Sequence, residues 1–422
     1  MSERLQFSTE IERGNEIVNR VAAIERFRRQ PDTLDPTKEI EQTIKQMEGL
    51  VTDFPVIVSP QNLDELYLAE LRQRLVAEHA SLSVDLMSET PTFEQVIAYN
   101  GIPIEDIESL EVWLAENREP VKEANKRKFE RTANQKDRRP VHLGVDELNR
   151  EASSLAKEAV ERVIRAISEE FGVAEAVKMF KRYMDSWETR SFANWISNTV
   201  RWSTHKTTYM NEDGVFVDSN EIIRLVGHEF GGHVRHHVVT KMTSYLPSFL
   251  KTATDLPTSG TMESVAQHFE SRLFTILKEN PNFYQSLGFN EPFEDIYQRY
   301  LDDKLIADYI MKRFQFGIYT LAKSTQDDRK TQMEKLMPYA IEPWWPAKFI
   351  NYEKDNWDQV SGRLISWRIS ELRYVADPVG RIMRSVPADR IEEAERLILT
   401  GYWMPQGLED WVRINLATPS FI

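Results

Sequence analysis

The stretch Gly227-His228-Glu229-Phe230-Gly231-Gly232-His233 decides how the chain is read, because it sets two imidazoles five residues apart with a carboxylate beside the first. On a regular α-helix, residues four apart lie about 40° from one another around the axis, whereas residues five apart lie about 140° apart. An undistorted helix would therefore turn the two rings to different sides. A single wide π turn absorbs the extra residue and restores a shared face. Gly231 and Gly232 fit such a turn. Each glycine inside a helix costs about 1 kcal/mol relative to alanine, so a pair between the histidines points to deformation, or to close approach of another backbone.

Working outward, Asp218 followed three residues later by Glu221 is close to a capping box and starts the helix. Ile222, Leu225, Val226 and Phe230 then share one face. Upstream, Thr199, Val200, Trp202, Thr207, Thr208 and Tyr209 are β-branched or aromatic, and Gly214-Val215-Phe216-Val217 follows an Asn-Glu-Asp-Gly turn, which predicts a hairpin, with His205 in a strand over residues 202–206. Downstream, the turn Pro257-Thr258-Ser259-Gly260 leads into a second helix with an apolar stripe of Met262, Val265, Ala266, Phe269, Leu273, Ile276 and Leu277.

The chain has no cysteine, so any metal must be held by histidine and carboxylate. His228 and His233 supply two ligands, and a catalytic zinc site has a third, with a water in the open position. Glu263 is the candidate: it lies thirty residues beyond His233, in the first turn of the second helix and at the edge of its stripe. Asp255 sits in a loop and Glu270 lies further along. Zn2+ held by His228, His233 and Glu263, with Glu229 as general base, makes peptide-bond hydrolysis the expected chemistry, and the strand pair ahead of the helix offers an edge for an extended peptide.

Blander readings stand beside these. His228 and His233 could be hydrogen-bonded core histidines, and Glu263 a carboxylate favoured by a helix N-terminus. His236 and His237 continue the helix away from the site, as solvent-facing or core-edge side chains. His268 reads as a surface histidine, and His205 as a candidate contact on the substrate side. One of Tyr297, Tyr300, Tyr309 and Tyr319 could stabilise an oxyanion, though core packing is the commoner role of tyrosine.

HEFGGH followed by Thr261-Met262-Glu263-Ser264-Val265-Ala266 resembles the tyrosine carboxypeptidases that act on tubulin and their bacterial relatives, which carry HExxxH and a TEEGLA-like segment. The resemblance covers roughly residues 191–270. It implies metal ligands at His228, His233 and Glu263, a catalytic carboxylate at Glu229, and exopeptidase action at a C-terminus. Ser264-Val265 replaces the family's Gly-Leu, and His236 stands where the family has arginine, with Arg235 one position away. Dipeptidyl peptidase III is similar through HExxGH and a later glutamate, on a longer chain.

The remaining numbers limit the alternatives. With 53 basic and 67 acidic residues the formal charge is −14, which disfavours nucleic acid, anionic lipid and an acidic tubulin tail as partners. No apolar run is long enough to span a membrane, and the charged N-terminus lacks a secretory signal, so the expected compartment is the cytoplasm and the expected partner a peptide or protein substrate. Helical patterning dominates. The expected fold is α+β and mainly helical, with a helical region over 1–140, a zincin-like catalytic core with a small sheet over 141–337, and a helical segment over 338–422. A helical pattern runs from Asp146 to Tyr183, the basic stretch from Lys122 to Arg139 reads as a solvated helix or linker, and the tryptophans near the C-terminus read as core or interface. The alternative from another class is a non-catalytic zinc-binding or interaction protein on the same scaffold. Glu229 opposes it, because a structural site needs no free carboxylate beside its first ligand.

Overall fold

A computed structural model describes residues 9–28, 37–86, 93–100, 104–134, 139–140, 146–172, 174–185, 192–194, 198–253, 258–323 and 377–417. These residues are mainly helical, with two small three-stranded sheets. Among them, no helix is long and apolar enough to cross a membrane.

Two compact units emerge, each assembled from separate stretches of chain. The first takes residues 1–118, 240–264 and 309–422, and the second residues 119–239 and 265–308. The expected boundary at residue 140 falls inside the second unit, and the one at residue 337 lies outside the described residues.

In the first unit α1 (Thr9–Arg28), α2 (Thr37–Asp53) and α3 (Leu63–Leu86) pack together through Val18, Met47, Leu71 and Leu75, all fully buried, and α4 (Phe93–Asn100) follows them. Arg74 of α3 donates to the carbonyls of Phe249 and Thr252, pinning the short 3-10 turn Ser248–Lys251. Near the C-terminus Trp403 and Trp411 stack at 5.2 Å, and their indole N–H groups donate to the Thr400 and Leu397 carbonyls. For these two tryptophans the core reading holds, whereas Trp344, Trp345, Trp357 and Trp367 lie outside the described residues.

The second unit carries the motif. It receives the C-terminal part of α5 (Ile104–Asn134), β1 (Arg139–Pro140) and α6 (Asp146–Glu170), whose Ala156, Val160, Val163 and Ile167 are buried. The helical pattern expected to reach Tyr183 stops earlier. Gly172 takes φ +60, a left-handed conformation that ends helices, and after the short α7 (Ala174–Met179) the chain enters strand β2 (Lys181–Asp185). β2 runs parallel to β4 (Thr199–Ser203), whose other edge pairs antiparallel with β3 (Phe192–Asn194).

The hairpin is formed by β5 (Thr208–Asn211) and β6 (Gly214–Val217), with Tyr209 opposite Phe216. Residues 204–206, expected as strand, form instead the short helix α8 (Thr204–Thr207). Local hydrogen bonds override the β-branched composition: the hydroxyls of Thr207 and Thr208 donate to the Ser203 and Thr204 carbonyls at 2.9 and 2.7 Å. The basic stretch after Lys122 is not simply solvated. Arg127 and Arg131 both donate to the buried Asp302 carboxylate at 2.6 and 2.7 Å, and Lys128 reaches Asp303. These acids sit on α13 (Phe293–Lys323), which follows the short α12 (Pro281–Ser286).

Candidate metal centre

Asp218 caps α9 (Ser219–Leu225) through its Oδ1, which accepts from the Glu221 N–H at 3.2 Å. Only half of a capping box forms, because the Glu221 carboxylate turns to Arg224. The helix then widens. Val226–Val234 is π-helical over nine residues before α10 (Arg235–Met242) resumes, and the Arg235 N–H reaches back five residues to the Phe230 carbonyl. An i→i+5 repeat puts residues five apart about one turn apart, on a common face. His228 and His233 accordingly meet, with ring centroids 5.0 Å apart and ring planes nearly perpendicular.

The glycines set the second contact. A Cβ on Gly232 would fall 2.4 Å from Ala266 Cα and 2.9 Å from Ala266 Cβ, and one on Gly227 would fall 3.0 Å from Glu270 Cα. The backbone of α11 (Ser259–Glu279) therefore lies directly on the π-helix, at a distance only glycine permits. Glu263, one turn before Ala266, arrives beside the histidines. One ligand atom from each of His228, His233 and Glu263 lies within 4.8 Å of the other two.

Two imidazoles and a carboxylate are the nitrogen and oxygen donors zinc accepts. A tetrahedral ion with donors at about 2.1 Å holds them about 3.4 Å apart, so the three side chains need converge by roughly 1.5 Å at most. The group is half-buried, which leaves an approach for a fourth ligand.

Charge is organised behind the group. His228 Nδ1 and Glu270 Oε2 are 3.0 Å apart, and when Nδ1 donates to the carboxylate the ring's lone pair resides on Nε2, the arrangement that orients metal-binding histidines. Burial alone would push the Glu270 carboxyl up, but its hydrogen bond with His228 and the charges of Arg224 and Lys304 hold it below the usual range. Arg224 grips Glu221 with two hydrogen bonds of 2.8 Å and lies 3.7 Å from Glu270. Burial opposes its charge, yet Glu221, Glu270 and Glu229 keep it firmly protonated. Glu229 itself is 6% exposed, so its carboxylate is largely removed from bulk water.

No protein-family model and no curated protein matches the chain.

Of the residues singled out from sequence, His228, His233 and Glu263 come together, and Glu229 lies on the same π turn as His228. Asp255 lies outside the described residues. His236 and His237 are not solvent-facing: both are buried, His237 edge-on to Phe180 at 5.9 Å. Arg235 stands over Phe269 and Phe171 at 4.9 and 5.6 Å, a cation–π role. His205 lies half-buried on α8, and His268 is half-buried on α11 against its neighbour Phe269.

The tyrosines pack. Tyr300 stacks on Phe274 at 3.7 Å with its hydroxyl 2.9 Å from Ser271 Oγ, Tyr309 meets Trp113, Tyr319 meets Phe316, and Tyr297 stacks on Phe293. The residue that sequence reading passed over is Glu270. Its signal was its place seven residues after Glu263, two turns along the same helix face.

Proposed function

We propose that the chain is a zinc-dependent peptidase with a zincin-like core. The observation that carries this reading is the π-helical turn, which gathers His228 and His233 on one face beside Glu263 while keeping Glu229 buried next to the first histidine. A purely structural site has no use for that carboxylate.

In this reading His228, His233 and Glu263 hold the ion, and Glu270 fixes the His228 ring. Zinc supplies a water of lowered pKa and a polarised substrate carbonyl. Glu229 takes a proton from the nucleophilic water and returns it to the leaving amine, a task for a carboxylate held within reach of both. Arg224, behind Glu270 and near Glu229, keeps this acidic corner from accumulating uncompensated negative charge. The substrate class is a peptide or protein. Trimming at a C-terminus is the finer expectation, resting on the motif resemblance to the tyrosine carboxypeptidases.

Glu229→Gln tests the assignment. The variant is expected to bind zinc stoichiometrically and melt like wild type, while hydrolysis of a peptide library, followed by mass spectrometry, falls at least 100-fold. Undiminished cleavage by the variant overturns the role of Glu229, and wild-type protein that takes up no zinc overturns the peptidase reading as a whole.

A further inference from the structure

Ser264 follows Glu263 on α11 and is 5% exposed. Its hydroxyl is used twice. It donates to Asp377 Oδ1 at 3.0 Å and accepts from the Val379 N–H at 3.3 Å. Asp377 is the N-cap of α14 (Pro378–Ser385), and the same Oδ1 also accepts from the Gly380 N–H at 3.0 Å. A Cβ on Gly380 would fall 2.7 Å from the Asp377 Cγ, so glycine leaves room for the cap. The Val379 N–H belongs to the first turn of α14, where amides have no acceptor within their own helix, and Ser264 supplies one from α11.

The helix α14 is itself held. Pro378, Val379 and Ile382 are buried, and the helix packs on α15 (Ile391–Ile398) and α16 (Pro405–Ala417). Arg381 of α14 also reaches Glu409 of α16 at 2.6 Å.

Adjacent residues on an α-helix point about 100° apart, so Glu263 and Ser264 leave α11 in different directions. Ala266 and Glu270, which meet the π-helix, lie on the Glu263 side. The contact at Gly232 thus sets how closely α11 approaches, and Ser264 sets its rotation about its own axis. A side-chain tip about 5–6 Å from the axis moves about 2 Å when the helix turns by about 20°. An outward turn of that size more than doubles the roughly 1.5 Å over which the three donors must converge.

We propose that Ser264 is a positioning residue for the metal group: it ties α11 to α14 and so fixes the angle at which Glu263 meets His228 and His233. The inference rests on the zinc reading above. The tyrosine carboxypeptidases have glycine in place of Ser264, which has no hydroxyl to make these bonds, so the tie is not carried over with the motif.

The test is zinc affinity of the full chain by chelator competition, with folding followed by circular dichroism. Ser264→Ala is expected to weaken zinc binding about tenfold or more. In a Glu263→Ala background the same substitution is expected to change affinity by less than about twofold, because no third ligand is left to misplace. A general loosening of the fold would weaken both backgrounds alike. Asp377→Ala, which removes the acceptor but leaves the Val379 bond, is expected to cost about threefold, and Asp377→Asn, whose Oδ1 still accepts, to restore wild-type affinity. The Asp377 pair decides the matter if Ser264→Ala fails to fold. Undiminished zinc affinity in either folded alanine variant, an equal loss in the Glu263→Ala background, or no rescue by Asp377→Asn overturns the tie and leaves the peptidase reading standing. Wild-type protein that takes up no zinc overturns both.

Discussion

Replacing Gly232 by alanine is the perturbation that tests whether the contact between the π-helix and α11 sets the metal group. The new methyl carbon would fall 2.4 Å from Ala266 Cα, 2.9 Å from its Cβ and 3.3 Å from its carbonyl carbon. Carbon atoms rest about 3.5–4.0 Å apart, so the two helices must part by about 1 Å. Two of those three atoms are backbone, so no side chain can swing aside. Alanine gains about 1 kcal/mol over glycine in helix propensity, but overpacking against a rigid neighbour costs about 1–3 kcal/mol. Because the collision is with main chain, the upper part of that range applies, and a net loss of about 1–2 kcal/mol is expected in urea denaturation of the metal-free protein. The same displacement carries Glu263 away from His233, and zinc affinity in a chelator competition is expected to fall at least tenfold. Gly231→Ala is the control: its methyl would lie 3.3 Å from the edge of the Phe171 ring, which can tilt, and the expected loss is under about 1 kcal/mol. If Gly232→Ala matches wild type in both stability and zinc affinity, the close approach is not what builds the group.

On the proposed zinc site, Glu270→Ala removes the partner of His228 Nδ1 and is expected to weaken zinc binding by about 10–100-fold while leaving His228, His233 and Glu263 in place; equal affinity in an equilibrium titration would show that the ring is oriented by other contacts. Asp302→Asn tests the clamp on the basic stretch. Burial raises the Asp302 carboxyl, but hydrogen bonds from Arg127, Arg131 and Gln298 outweigh it and hold the group below the usual range. A depressed folded-state pKa stabilises the fold above the unfolded value near 4, and that contribution disappears as pH falls through the folded value. At pH 7 the variant is expected to lose roughly 2 kcal/mol, discounted because both arginines are partly exposed, and the gap should narrow below about pH 4. Denaturation midpoints at pH 7 and pH 3 that differ by the same amount would exclude the ion pairs as the cause.

Sequence reading succeeded where the governing interactions are local. The spacing of His228 and His233, with two glycines between them, already required a helix wound wider than α, because ring direction follows from residue number and turn geometry alone. The Asp218 cap and the buried stripe from Met262 to Leu277 were legible for the same reason. It failed at residues 204–206, where threonine hydroxyls bond to the preceding carbonyls and outweigh strand propensity. For His236 and His237 it left solvent-facing and core-edge placements open, and burial excludes the first, because helical period indicates which residues share a face but not how much protein covers it.

By itself, then, the sequence determined a mainly helical chain, a distorted helix bearing two histidines, and a carboxylate beside the first of them. Only the tertiary structure shows which distant acids lie beside them. Glu263 and Glu270 lie on α11, and their meeting with the π-helix depends on glycines at 227 and 232 letting one backbone rest on another. Local periodicity encodes the faces, and side-chain volume at the contact chooses the partners.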